Sequence, residues 1–152
     1  MIDTRENILA RLVQVVAGIP NIRTAQRNNP DIPEYNMLPA GIIYDGDEET
    51  NDSSDLSMRP PNRPTLVTMH PEIVIVHKAG EVGSELHTLR RELIRSVLYD
   101  VNLNEQIVKT GRFGNGAIRY LGCMTDLHFG SSLQGGMRAH FMFKYKLDPA
   151  DL

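Results

Sequence analysis

The chain has 152 residues, a formal net charge of −3 and a pI of 5.9. Because domains typically contain about 100 to 150 residues, this length predicts a single domain spanning residues 1–152. No apolar run approaches the roughly 18 residues that a membrane span needs, and the acidic balance argues against a surface devoted to nucleic-acid phosphates. The single cysteine, Cys123, excludes an intrachain disulfide framework and is typical of assembly in a reducing cytoplasm.

The first predicted element is an amphipathic helix near the N-terminus. Asp3 and Glu6 have the spacing of a capping box, and apolar residues then recur at helical spacing until Gly18 and Pro20 end the pattern. Polar and acidic residues occupy the positions where a secretory signal would need a basic segment and an apolar core, so no signal peptide is expected. A short polar strand in "NIRTAQRNNP" and a strand in "MLPAGIIYDG", with Pro39 at its entrance, follow.

The stretch "YDGDEETNDSSDLSMRPPNRP", residues 44–64, has six carboxylates in its first dozen positions. It contains too little apolar area to offset the entropy of ordering it, which predicts a flexible acidic and Pro/Arg-rich loop over residues 46–63. As a calcium loop beginning at Asp45 it fails, because Thr50 stands where the EF-hand needs glycine and Leu56 where it needs glutamate. Only loose divalent-ion binding remains as a metal role for this stretch.

A central strand is predicted in "PTLVTMHPEIVIVHKAG", where apolar residues alternate along one face and Pro71 indicates a bulge or an edge. The run from Ile73 to Val76 is apolar on both faces, which in an antiparallel sheet requires that each face be covered. Helices can cover one face, and a neighbouring subunit is a candidate cover for the other.

The second half of the chain predicts two helices and a hairpin. "EVGSELHTLRRELIRSVLYD" has an apolar stripe at helical spacing, and a shorter helical turn in "NEQIVKTG" ends at Gly111. In "IRYLGCMTDLHFG" the inward face is predicted to hold Leu121, Cys123, Leu127 and Phe129, and "GMRAHFMFKYKL" alternates cleanly. The order predicts an α+β fold: an antiparallel sheet of about four to five strands, with two main helices on one face and a long loop between central strands.

Motifs for catalysis or cofactor binding are weak or absent in the sequence. The five histidines form no H-x-H or H-E-x-x-H motif, and the nearest approach to a two-ligand site is His128 facing His140 across the last hairpin. "GRFGNGA" lacks the Lys-Ser/Thr ending and the strand-to-helix context of a phosphate-binding loop. Cys123 occupies an inward strand position, where a thiol usually packs. We therefore expect no catalytic residues, no cofactor and no metal, and a protein that is not an enzyme.

The quoted segments, in their order and spacing over nearly the whole chain, resemble the tail terminator (tail completion) proteins of long-tailed bacteriophages. These segments are the N-terminal helix, "PAGIIYDGDEE", the polar loop, "LVTMHPEIVIVHKAG", "ELHTLRRELIRSVLYD" and the hairpin ending in "MRAHFMFKYKLDP". The resemblance implies a structural virion protein of the tail and neck, assembled in the host cytoplasm as a ring, expected to be a hexamer. Such a ring caps the tail tube, ends its polymerisation and joins tail to head, with DNA passing through the lumen.

The expected partners are other copies of the chain, the tail tube protein, the head-tail connector and the DNA, which passes through the lumen without sequence-specific binding. Acidic side chains facing the lumen would repel DNA phosphates and let the genome slide. The candidate partner or lumen residues are Asp45, Asp47, Glu48, Glu49, Asp52, Asp55, Arg59 and Arg63. The candidate subunit-interface residues are Val74, Val76, Arg90, Arg91 and Arg95.

Three other functions compete with this interpretation. A head-side neck or stopper protein also forms a ring and is similar in size to a tail terminator. A small metal-dependent hydrolase would use Asp45, Asp47 and His128, although their spacing is poor for ligands. A monomeric cytosolic binding module would run at about 17 kDa in sizing experiments.

Overall fold

The structure is a computed structural model that describes residues 3–31, 33–50, 64–77, 82–107, 118–126 and 135–152. Helix α1 spans Thr4–Ala17, α2 spans Val82–Leu98 and α3 spans Val101–Gln106. The strands are β1 (Thr24–Arg27), β2 (Ala40–Thr50), β3 (Thr65–His77), β4 (Ile118–Asp126) and β5 (Gly135–Leu147). Single 3-10 turns lie at Tyr35–Met37 and Pro149–Asp151. No helix in the described ranges is long and apolar enough to cross a membrane.

The strands of the described segments form one sheet in the order β1-β2-β3-β5-β4. The predicted α+β class is confirmed. Pairing is antiparallel except between β1 and β2, which are parallel, with Thr24 beside Ala40. The sheet is therefore mixed, and the prediction of a wholly antiparallel sheet was wrong at this edge. After β1 the chain crosses back through the 3-10 turn before it enters β2, so that β2 runs in the same direction as β1.

The main core lies between the sheet and the helices. Asp3 caps α1 as predicted, its side chain accepting a hydrogen bond from the amide of Glu6, and the buried stripe of α1 packs on β1 and β2. Helix α1 approaches β2 so closely that a Cβ at Gly41 would lie 2.3 Å from Val16 Cγ1. The stripe of α2 covers the other half of the sheet and is buried at Leu86, Leu89, Leu93 and Val97.

A second, smaller cluster lies on the sheet face turned away from the helices, which we call the second face. Leu38, Ala40, Ile42, Val74 and Val76 are all buried there, and the half-buried Tyr44 packs against them. The apolar run from Ile73 to Val76 is thus covered on both faces, as predicted. On the second face this cover comes at least in part from the same chain, through Leu38 and Tyr44.

The prediction of a loop over residues 46–63 was wrong for residues 46–50. Strand β2 continues to Thr50, pairing Asp47 with His70 and Thr50 with Val67. The composition is unfavourable for a strand, but the long neighbouring strand β3 supplies partners for the backbone groups, and this pairing overrides local propensity. Residues 51–63 lie outside the described ranges.

Two further expectations are corrected by local geometry. Helix α3 begins at Val101 rather than in "NEQIVKTG", because Asp100 caps it by accepting a hydrogen bond from the amide of Leu103. In β4 a register shift between Tyr120 and Gly122 leaves Leu121 exposed, whereas Cys123 packs on the core as expected. Leu127 and Phe129 lie outside the described ranges.

Candidate assembly surfaces

The bulge in β2 determines where the acidic side chains of this strand point. Asp45 and Gly46 together oppose Pro71 of β3, and Gly46 takes a φ of +69°. Asp45 lies on the helix side of the sheet, and beyond the bulge Glu48 is on the helix side while Asp47 and Glu49 are on the second face. The predicted partner or lumen residues Asp52, Asp55, Arg59 and Arg63 lie outside the described ranges.

Asp45 is held by an arginine from the neighbouring strand. Nε and Nη2 of Arg27 donate to the two carboxylate oxygens of Asp45 at 2.8 and 3.0 Å. The same guanidinium donates to both oxygens of Glu6 in α1, at 2.6 and 2.9 Å. These hydrogen bonds lower the pKa of both carboxyl groups and raise that of Arg27. Asp45 therefore belongs to an ion cluster that joins α1, β1 and β2.

Glu48 is likewise engaged within the chain. Its Oε2 accepts a hydrogen bond from the hydroxyl of Tyr145 at 2.8 Å and lies 3.2 Å from Arg5 Nε. Burial of Tyr145, followed by its bond to Glu48, raises the pKa of the phenol well above its usual range. Glu48 and Asp45 thus have intramolecular partners and are poorly placed to act as free acidic groups.

Asp47 and Glu49 point outward from the second face, and both are exposed. Glu49 lies 3.4 Å from His70, and the side chain of Asp47 has no hydrogen bond or ion pair within the described ranges. Farther across the same face, Glu72 lies 3.6 Å from Arg138 and 3.4 Å from His140. Among the other β4 and β5 residues whose side chains are described, the charged ones on this face are basic: Arg119, Lys144 and Lys146. Charge on the second face therefore passes from acidic at β2 to basic at β5 and β4.

The five predicted interface residues have different environments. Val74 and Val76 are buried within the single chain, so little of either side chain is left for a neighbour. Arg90 lies over the ring of Tyr120, with its guanidinium carbon 5.5 Å from the ring centre, and donates to the Tyr120 hydroxyl at 3.2 Å. Arg91 and Arg95 are exposed on α2, and no hydrogen bond or ion pair involves their side chains in the part of the chain that the structure describes.

The turn between α2 and α3 carries two exposed apolar side chains that the sequence did not single out. Tyr99 is 81% and Val101 69% exposed. Between them, Asp100 binds Arg11 of α1 through two hydrogen bonds of 2.7 and 3.0 Å and also caps α3. A shallow cleft of about 500 Å³ adjoins the turn and is lined in part by Arg95, Tyr99 and Val101. The sequence signal for this turn is Asp100, a residue type that favours the N-cap of a helix. Its pairing with Arg11 could not be predicted, because Arg11 is 89 residues away in the chain.

A second cleft, of about 520 Å³, lies between the turn after α1 and the N-terminal half of α2. Three of its polar side chains are paired within the chain: Arg23 donates to the carbonyl of Asn36 at 3.0 Å, and His77 Nε2 lies 2.5 Å from Glu85. Such pairing leaves these groups already engaged rather than directed at a ligand.

The geometry does not assemble the hydrolase site considered from the sequence. Asp45 and Asp47 lie on opposite faces of the sheet, and His128 is outside the described ranges. Within those ranges, no three His, Cys, Asp or Glu side chains are grouped so as to hold a metal ion. Burial raises the pKa of the Cys123 thiol, which packs against the core and is not activated as a nucleophile.

Comparison of the chain with protein-family models and with curated protein sequences gave no match.

Proposed function

We propose that this chain is a structural virion protein of the tail terminator class. In this function several copies form a ring, expected to be a hexamer, that caps the tail tube, ends its polymerisation and offers the surface for head-tail joining. DNA passes through the lumen. The chain acts by binding other proteins and performs no catalysis.

The observation that carries the proposal is the uneven covering of the sheet. Among the described residues, one face is buried under α1 and α2, whereas the second face has a buried apolar cluster near Val74 and elsewhere carries exposed or half-exposed charges over β2, β3, β5 and β4. A sheet face with ordered, partly unpaired charges of both signs is suited to contacts between subunits, where charge complementarity sets register and partner choice. The resemblance of the sequence to tail terminators supports the same function.

Electron microscopy of the purified protein, with and without tail tubes, tests the proposal. We expect rings of about the tube's diameter at tube ends and tubes that no longer elongate when tube protein is added. A protein that never contacts tubes would overturn the proposal.

Deletion of the gene separates this function from that of a stopper. Loss of a terminator gives tubes of uncontrolled length, whereas loss of a head-side stopper gives tails of normal length and heads that leak DNA. Tails of normal length after deletion would therefore contradict the proposal and favour the stopper.

A further inference from the structure

We infer that the outer surface of α2 in one copy binds the acidic end of β2 in the next copy, giving a head-to-tail contact. The basic stripe consists of Arg91, Arg95, Tyr99 and Val101. The acidic patch consists of Asp47, Glu49 and Leu66. The inference rests on the proposed function, because it names the two surfaces through which the subunits of the ring meet.

The basic stripe has the composition and the rigidity of a binding surface. Arg91, Arg95 and Tyr99 follow one another at four-residue spacing, and the amide of Tyr99 donates to the carbonyl of Arg95 at 3.0 Å, which continues the helical pattern. Both guanidinium groups lack partners within the described ranges, although like charges four residues apart repel each other. Tyrosine and arginine beside an apolar residue are typical of interface hot spots.

Asp100 fixes the end of this stripe before any partner arrives. Its two hydrogen bonds to Arg11 and its cap on Leu103 hold the turn that presents Tyr99 and Val101 to solvent. A turn whose backbone is already ordered loses less entropy on binding. Tyr99 is 81% exposed on this rigid turn, so its side chain is suited to insertion into a partner.

The acidic patch matches the stripe in charge, in apolar content and in spacing. Asp47 and Glu49 lie two residues apart on the same side of β2, so their Cβ atoms are separated by about 7 Å. The Cβ atoms of Arg91 and Arg95, four residues apart on a helix, are separated by about 6 Å. Leu66, 45% exposed on the adjacent strand β3, supplies the apolar surface opposite Tyr99 and Val101.

The two surfaces cannot meet within one molecule. Helix α2 packs on the helix side of the sheet, while Asp47 and Glu49 point from the second face. A contact between them joins unlike surfaces of two copies, and such a contact has no two-fold symmetry. It closes into a ring if the rotation between neighbours divides a full turn. A second copy is the occupant that the chain itself offers, because each copy carries both complementary surfaces.

Charge reversal tests the contact. One variant carries Arg91→Glu and Arg95→Glu, and a second carries Asp47→Lys and Glu49→Lys. Two controls change the net charge by the same amounts elsewhere on exposed positions: Arg23→Glu with Asn7→Glu and Ala10→Glu, and Asp31→Lys with Glu34→Lys. Sedimentation velocity at low salt measures assembly, and far-UV circular dichroism with urea unfolding verifies that each variant is folded.

We expect the wild type and both controls to assemble. Each reversed variant should have a dissociation constant about ten-fold or more higher, and should sediment towards the 17 kDa monomer. An equimolar mixture of the two reversed variants regains assembly, because the reversed stripe of one then faces the reversed patch of the other. This rescue is specific to the proposed pairing and cannot come from a misfolded variant.

Three results would overturn the inference. These are a wild type that stays monomeric, assembly that persists in either reversed variant, and a mixture that does not recover. The proposed function is judged separately, by the capping of tail tubes. Rescue without capping of tail tubes would support the contact and contradict the proposed function. Capping by reversed variants that assemble normally would support the proposed function and contradict the contact.

Discussion

Gly46 is the residue that allows the acidic segment to continue as a strand. Pro71 of β3 has no N–H to give to the ladder, and the bulge at Asp45 and Gly46 accommodates this missing donor. Gly46 takes a φ of +69°, and a Cβ there would lie 1.9 Å from the carbonyl oxygen of His70. The position therefore requires glycine for two independent reasons, its conformation and the close approach of β3.

We predict that Gly46→Ala destabilises the fold by about 2 kcal/mol or more, because the backbone must leave its left-handed conformation or push β3 away. Urea unfolding followed by circular dichroism measures the change. Gly83→Ala in α2 is the control, since a Cβ at Gly83 has no neighbour within 4 Å, and it should be neutral or stabilising by up to about 1 kcal/mol. Equal effects of the two substitutions would contradict the bulge geometry.

Asp100 combines two tasks that one substitution can separate. Asn at this position can still cap α3, but it cannot form the ion pair with Arg11. We expect Asp100→Asn to lower the free energy of unfolding at pH 7 by about 1 to 2 kcal/mol.

The pH dependence of this loss identifies its cause. Hydrogen bonds from Arg11 lower the pKa of Asp100 in the folded state below its ordinary value of 3.8, so its stabilising effect is present above that pH. The effect disappears as pH falls through the lowered pKa, where the folded carboxyl is protonated. Urea unfolding of both proteins between pH 7 and pH 2 should show the difference shrinking with acid, and a constant difference would argue against the ion pair.

At the scale of elements, Arg27 connects three of them at one edge of the sheet. Strand β1 has only four residues, and among the described strands it pairs with β2 alone. The guanidinium of Arg27 adds four hydrogen bonds, two to Asp45 of β2 and two to Glu6 of α1. A lysine could not reproduce this planar pattern, since it lacks the forked donors of arginine.

We predict that Arg27→Lys loosens this edge without unfolding the molecule. Hydrogen exchange measured by mass spectrometry should become faster in β1 and in the first turn of α1, because local opening there no longer breaks the four bonds. Exchange in β3 and β5, at the centre of the sheet, should stay unchanged. Uniformly faster exchange would instead mean that Arg27 contributes to global stability.

At the scale of the whole molecule, charge is separated between two sides. The basic stripe lies on the outer side of α2, and the acidic patch lies at the β2 side of the second face, so the low net charge of −3 hides local concentrations of both signs. Exposed charges concentrated in this way can steer contacts between molecules.

Assembly through these surfaces should therefore weaken with salt. In about 1 M salt the Debye length falls to about 3 Å, so attraction between exposed charges is largely screened. We expect the dissociation constant of the wild type, measured by sedimentation, to rise by about ten-fold or more between low salt and 1 M salt. The control is a variant with Arg91, Arg95, Asp47 and Glu49 all changed to Gln, which keeps only the apolar part of the contact. Its dissociation constant should change little with salt. Assembly of the wild type that strengthens with salt would show that apolar contact dominates.

Much of the fold was predictable from the sequence, because periodicity reports which side of an element is buried. The cap at Asp3, the stripe of α2 and the alternation of β5 each depend on neighbours a few residues away. Leu121 was misplaced because a bulge adds one residue and reverses the alternation, and its one local signal, Gly122 with a φ of +134°, was not interpreted as a bulge. Of the candidate surfaces, the exposed arginines of α2 were identified and the turn at Tyr99 was missed.

The sequence by itself determined the α+β class, the burial pattern of its long elements and the concentration of carboxylates after Tyr44, since these follow from composition and short-range spacing. Only the tertiary structure decided which carboxylates are held on the helix side and which point away from it. Asp45 and Glu48 are bound by Arg27, Arg5 and Tyr145, whereas Asp47 and Glu49 face outward. The physical reason is that a strand's faces are assigned by its partner and its bulge, and the arginines that neutralise one face come from distant parts of the chain.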